Sequence, residues 1–263
     1  MMKKISLLII LLLIAVAPAL AIGEEKQTPE QSEFSFYIDP LAGPEHAEFE
    51  LTLQNLGEES LVFEFPTSQK YEIIVKDDQK NTVYQFSEGK AFAQAFEKLK
   101  LKPHESIKWR ESWDYKKGES RVKEGEYTVT AQVKAISVNG KAVMDKQQLT
   151  DKKQMYIPGE NPVFKGIHPE GSKGSYKIFG EARPIDGKFF YTVEDGHNEL
   201  IAETEIVQHS KYPAWTPFTI EITLPESKLP KNGSLILNLY ERSKEGEIIH
   251  TYPVLLERFV PRK

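Results

Sequence analysis

Apolar and polar residues alternate with a period of two over most of this chain. In residues 47–54, Phe49, Leu51 and Leu53 alternate with Glu48, Glu50, Thr52 and Gln54. Side chains two apart on an extended backbone share a face, so this pattern predicts a strand with one buried side. Leu61, Phe63 and Phe65 predict the next inward row, ended by Pro66, which has no N–H for a ladder. Ile73 and Val75 continue it, residues 77–81 (DDQKN) form a polar hairpin tip, and residues 83–86 return. Ile107, Trp109, Glu111 and Trp113 alternate, which puts both tryptophans on one face. Residues 115–125 read as a charged loop. Tyr127, Val129, Ala131 and Val133 give the clearest strand, and Asn139-Gly140 between AISV and KAV signals a type I′ hairpin. One stretch departs from period two. Phe92, Phe96 and Leu99 in residues 91–100 are spaced i, i+4, i+7, which predicts a turn or two of helix held down by its aromatics.

Residues 145–153 (DKQQLTDKK) are a polar trough, followed by Pro158, Gly159 and Pro162. This shift in composition suggests a domain boundary. Beyond it the strand style returns without repeating the sequence. Residues 189–193 and 200–202 flank the hairpin dipeptide Asp195-Gly196. Phe218, Ile220, Ile222 and Leu224 alternate with polar residues, as do Leu235, Leu237 and Leu239. Short strands with turn signals about every 8–12 residues indicate an all-β fold, two β-sandwiches in tandem. The expected organisation is a signal segment over residues 1–21 and a flexible spacer over 22–33. A sandwich over 34–150, a linker over 151–162 and a second sandwich over 163–263 follow.

Composition refines this picture. The chain has 263 residues, enough for two ordinary domains. MMKK, an apolar run and Ala19-Leu20-Ala21 follow the three-part layout of a secretory signal peptide. An uncleaved N-terminal anchor is the alternative. The sequence contains no cysteine, so disulfides, thiolate chemistry and lipid attachment at a cysteine do not arise. The net charge is −5, and loss of Lys3 and Lys4 with the signal segment makes it −7. An acidic surface repels phosphate and anionic lipid, which disfavours nucleic acid and membrane surfaces as partners. No stretch after the signal segment is long and apolar enough to span a bilayer.

The chemistry-bearing motifs are sparse. The six histidines, His46, His104, His168, His197, His209 and His250, lack the spacings that build zinc sites. His197 in EDGHNE reads as a solvated turn rather than a cation site. No G-x-S-x-G elbow or phosphate-cradling loop occurs. Asn232-Gly233-Ser234 matches a glycosylation acceptor but reads as a plain turn. No catalytic residue, metal site or cofactor is therefore expected. Two stretches suggest protein contact instead. PTSQKY and SEGKAFAQAF supply Ser68, Tyr71, Phe86, Ser87 and Phe92, with Phe92 and Phe96 either filling the end of a core or lining a binding edge. KYPAWTPF is a proline-stiffened loop that presents Tyr212 and Trp215, as a plug at the sandwich edge or as a contact surface.

Residues of about 34–140 resemble the BsuPI family, the intracellular proteinase inhibitors of bacilli. The runs that carry the resemblance are FELTLQN, LVFEFPTSQKYEIIVKD, VYQFSEGKAFAQAF, LKPHESIKWRESWD and EGEYTVTAQV. His104 stands where that family usually has glycine in its Pro-Gly-Glu turn. Residues of about 160–260 resemble the Gmad2 domain, an immunoglobulin-like module of bacterial spore-germination and envelope proteins. YKIFGEA, FFYTVEDGHNELIAE, WTPFTIEITLP and NGSLILNLYERSKEGEIIHTYPVLL carry it. Both resemblances imply immunoglobulin-like β-sandwiches. Together with the signal segment, which predicts export although the BsuPI inhibitors are intracellular, they imply a non-enzymatic interaction protein of the envelope or spore, from a Gram-positive spore former. The alternative is a secreted inhibitor of a subtilisin-type protease. The partner is a protein in both cases, and the sequence does not reveal the oligomeric state.

Overall fold

A computed structural model describes residues 33–208 and 212–259. The expected signal segment, most of the spacer and His209 lie outside them. All regular structure among the described residues is strand, apart from short 3₁₀ turns at Lys146–Leu149 and Glu226–Lys228. The alternation of apolar residues therefore translates into an all-β fold built around two separate hydrophobic cores.

The first core is enclosed by strands β1 (Phe34–Ala42), β2 (Ala47–Asn55), β3 (Leu61–Phe65), β4 (Tyr71–Lys76), β5 (Thr82–Gln85), β6 (Glu97–Leu101) and β7 (Ser106–Trp113). After the small hairpin of β8 (Lys116–Lys117) and β9 (Ser120–Arg121) come β10 (Gly125–Val133), β11 (Ser137–Val138), β12 (Lys141–Ala142) and β13 (Thr150–Ile157). They form antiparallel sheets in the orders β1-β2-β7, β13-β10-β4-β5 and β12-β11-β3-β6. Phe49, Leu51, Leu53, Phe63, Phe65, Ile73, Val75 and Val129 are fully buried. In the β2–β7 register Leu51 faces Trp109 and Ala47 faces Trp113, so both tryptophans point inward as the alternation predicts. Asn139 and Gly140 adopt φ of 50° and 74°, the positive values a type I′ turn requires between β11 and β12.

Three expectations are corrected. Residues 91–100 are not helical. The backbone runs from 91 to 96 without helix or strand, and the rest belongs to β6, which pairs with β3 from Phe65↔Glu97 to Leu61↔Leu101. A helix this short is marginal in water, whereas β6 satisfies the edge of β3 along its whole length. The expected linker over 151–162 is strand as far as Ile157, paired with β10. Its polar run occupies the exposed face, while Leu149, Met155 and Ile157 are buried. The charged loop over 115–125 contains a hairpin and Tyr115, the largest fully buried side chain among the described residues. The Tyr115 hydroxyl donates to the Gly43 carbonyl at 2.7 Å, and the Arg121 guanidinium lies 4.6 Å from the ring centre.

The second core lies within β14 (Phe164–Ser172), β15 (Ser175–Ala182), β16 (Lys188–Glu194), β17 (Glu199–Val207), β18 (Thr216–Thr223), β19 (Gly233–Arg242) and β20 (Ile248–Phe259). Two sheets, ordered β14-β15-β18 and β17-β16-β19-β20, bury Ile178, Phe189, Val193, Leu235, Leu237 and Leu239 between them. At the β16–β17 hairpin the Asp195 carboxylate accepts the N–H groups of His197 and Asn198, at 2.9 and 2.7 Å. His197 therefore sits on a turn that Asp195 organises.

Candidate functional site

The PTSQKY turn and the stretch after β5 come together, as the sequence reading requires. Ser68 and Ala93 hold each other twice. The Ser68 N–H donates to the Ala93 carbonyl at 3.0 Å, and the Ala93 N–H donates to the Ser68 hydroxyl oxygen at 2.9 Å. Ser87 is held by its N–H, which donates to the Glu72 carboxylate at 3.1 Å. Beneath them the Tyr71 and Phe86 rings lie 4.7 Å apart, Phe92 packs 6.2 Å from Phe86, and Trp109 packs 5.4 Å from Tyr71.

Tyr71 and Phe86 are thus core residues rather than exposed contacts. The Tyr71 hydroxyl donates to the Glu111 carboxylate at 2.5 Å. Burial pushes its pKa up, and the Glu111 hydrogen bond and charge add to the effect. Lys90 extends over the Phe86 ring, 3.5 Å from its centre, and reaches Glu111 at 3.8 Å. The residue that projects from this assembly is Phe96, 77% exposed. Sequence reasoning placed Phe96 on a helix face. The signal that could have found it is the EKLKL alternation that follows, which starts a strand at Glu97 and leaves Phe96 outside.

The second candidate surface surrounds Trp215. The Arg183 guanidinium and the Lys165 ammonium lie 4.3 and 4.4 Å from the centre of its ring. Cations over an indole face are attracted to its quadrupole, by about 0.5–1 kcal/mol where solvent reaches them. Tyr212 is exposed and is not buried with Trp215. Trp215 borders a cleft of about 440 Å³ that is also lined by Glu45, Arg121, Asn161, Phe164 and Lys165. Among the described residues, no cluster of three or more histidine and acidic side chains is placed to hold a metal ion. No described helix is long and apolar enough to cross a membrane.

The family comparisons agree with this division of the chain. Residues 35–138 match the BsuPI family model, described as intracellular proteinase inhibitor. Residues 170–247 match Gmad2, the immunoglobulin-like domain of bacterial spore germination. The chain is therefore similar to BsuPI over its first sandwich and to Gmad2 over its second, each match covering less than half of the chain. Neither family is an enzyme family by its description. No curated protein matches the chain. Among solved structures, red sea bream transglutaminase aligns at 11% identity and a TM-score of 0.31, over 87% of this chain and 32% of that one. A β-glucosidase from Listeria innocua aligns at 15% identity and a TM-score of 0.28, over 49% of this chain and 16% of that one. The chain thus spans a third or less of these structures, and the scores are too low to carry an argument.

His104 occupies the third position of the turn over residues 102–105, where the resemblance to BsuPI leads glycine to be expected. It adopts a φ of 60°, and the Glu105 N–H closes the turn on the Lys102 carbonyl at 3.1 Å. A turn with proline in its second position and positive φ in its third favours glycine there, so His104 carries a small conformational cost.

Proposed function

We propose that this chain is an exported, non-enzymatic binding protein of the bacterial cell envelope or spore. The observation that carries this reading is the tandem of a BsuPI-like and a Gmad2-like sandwich on one chain. Support comes from the use made of the polar groups at the candidate surface. The side chains of Ser68, Glu72 and Glu111 are committed to holding backbone and aromatic rings in place. Export rests on the signal-like residues 1–21. The partner is a protein, engaged through loops that the sandwiches hold rigid.

Fractionation of a Gram-positive spore former that expresses the full chain tests this reading. The protein is expected in the wall, medium or spore fraction, with an N-terminus that begins after residue 21. Recovery from the cytosol with an intact N-terminus would falsify it.

A second reading, inhibition of a subtilisin-type protease, is favoured by one observation. The segment between Ala93 and β6 is pinned at both ends and exposed in the middle. Inhibitors of endoproteases need such a segment, because a loose one is cut as a substrate.

A further inference from the structure

The inference that follows rests on the inhibitor reading and assigns it a surface. We infer that Gln94, Ala95 and Phe96 form a protease-docking segment, with the Phe96 ring as the anchor that enters the enzyme's primary specificity pocket.

Three observations carry it. The first is shape. The backbone runs from Ala91 to Phe96 without turn or bend, and among the described residues no strand ladder includes it. Endoproteases bind chain in extended form and pair with it through main-chain hydrogen bonds, so a segment that belongs to no ladder offers its main chain for that pairing.

The second is rigidity. On one side Ala93 is clipped twice to Ser68, and Phe92 is packed on Phe86. On the other, Glu97 opens the ladder with Phe65 and its carboxylate pairs with the Lys70 ammonium. The span between the clips is therefore short, and its ordering has already been met in folding.

The third is chemistry. Phe96 is 77% exposed, yet its neighbours Ala95 and Gln94 are small or uncharged and also exposed. A large aromatic ring preceded by uncharged residues and followed by Glu97, whose charge Lys70 pairs, suits a pocket selective for large uncharged side chains. It does not suit a pocket that demands lysine or arginine. Aromatic rings that become buried in a partner's pocket are among the few residues that dominate interface energetics.

The test uses the full chain, a subtilisin-type serine protease and a trypsin-type control. Wild-type protein is expected to inhibit the first at stoichiometric amounts and to leave the second active. Phe96→Ala is expected to weaken inhibition at least about 30-fold, the loss typical of an interface anchor. Its melting temperature should not change, because the ring is outside the core. Phe96→Lys should transfer inhibition toward the trypsin-type enzyme. Ser68→Ala, which removes the acceptor for the Ala93 N–H, should give inhibition that fades as the segment is cut. Wild-type protein that inhibits neither enzyme would remove the inhibitor reading, and this proposal with it. Inhibition that Phe96→Ala leaves intact would remove only the proposal, since the docking surface would then lie elsewhere.

Discussion

The Glu45 carboxylate accepts the Gly166 N–H through both of its oxygens, at 2.8 and 3.1 Å. Glu45 lies in the β1–β2 loop of the first sandwich, and Gly166 lies at the irregularity in β14 of the second. The Gly166 φ of 59° turns its N–H toward the carboxylate in a conformation that costs glycine little. Buried Tyr252 sits in the same junction. Its pKa is raised by burial first and by the Glu45 charge second. Glu45→Ala removes this connection together with the carboxylate that partners the Tyr252 hydroxyl at the edge of the second core. We expect a loss of about 1.5–3 kcal/mol in coupling between the sandwiches, the range for hydrogen bonds to a charged group. Cleavage at residues 158–162 under limited proteolysis should be faster than in wild type. An unchanged cleavage rate would show that the pairing contributes nothing measurable.

Asn55 is fully buried at one end of the first sandwich. Its amide donates to the carbonyls of Glu59, Leu101 and Lys102 at 2.7, 3.2 and 3.0 Å, and its oxygen accepts the Gly57 N–H at 2.9 Å. One side chain thus holds the β2–β3 and β6–β7 connections. Asn55→Ala leaves these groups without their partner, and a cost of about 2–4 kcal/mol is expected from the usual penalty for unsatisfied buried polar groups. Asn55→Asp should be at least as damaging, because an ionised carboxylate cannot donate to three carbonyls. Urea unfolding of the two variants measures both effects, and an aspartate variant as stable as wild type would contradict the assignment.

Gly174 occupies the β14–β15 turn with a φ of 89°, and an added Cβ would stand 2.2 Å from the Leu224 carbonyl oxygen. Both the backbone conformation and the contact forbid a larger residue. Gly174→Ala should lower stability by more than about 2 kcal/mol, and the second sandwich should melt first. Gly196, also at positive φ but with nothing near its Cβ position, is the control. Gly196→Ala carries only the backbone cost, about 1 kcal/mol.

The phenols predict an alkaline limit. Burial pushes Tyr84, Tyr115 and Tyr176 up to about 12, from an ordinary value of 10.0. The unfolded chain loses these protons at the ordinary value while the fold retains them. Their contribution is complete below pH 10 and declines as pH rises toward 12. The opposite sign holds at low pH. Hydrogen bonds from Lys108 and Arg110 keep the Glu50 pKa below 4.5, so its contribution is present above that value and fades as pH falls through the lowered one. Thermal melts across this range should show a plateau with losses at both ends. Phenolate absorbance should rise together with unfolding on the alkaline side, and titration of all phenols near 10 without unfolding would refute the account.

Where one face of a strand is buried, the sequence was easily read. Phe49-Leu51-Leu53, Tyr127-Val129-Ala131 and Leu235-Leu237-Leu239 are inward rows because period two is the only geometry that buries them together. Phe92, Phe96 and Leu99 were misleading. Three apolar residues match a helix face by chance, and only the ladder partner of β6, more than thirty residues away in sequence, decides the matter. Thr150–Ile157 hid for a related reason, since this edge strand leaves Lys152, Lys153 and Gln154 exposed while Asp151 accepts the Ile38 N–H of β1. At the candidate surface, the sequence grouped Ser68, Phe86, Ser87 and Phe92, and the fold packs their stretches together. The sequence could not separate the supporting side chains from the projecting one, because that division depends on the reciprocal bonds of Ser68 with Ala93.

The connector between the sandwiches is gripped at each end by an arginine. Arg121 donates to the Pro158 carbonyl and Arg183 to the Pro162 carbonyl, both at 2.7 Å. Two prolines and two guanidinium anchors leave this stretch little slack to take up. A pull applied to one half of the molecule is therefore passed to the other as movement, instead of being absorbed by a stretching tether.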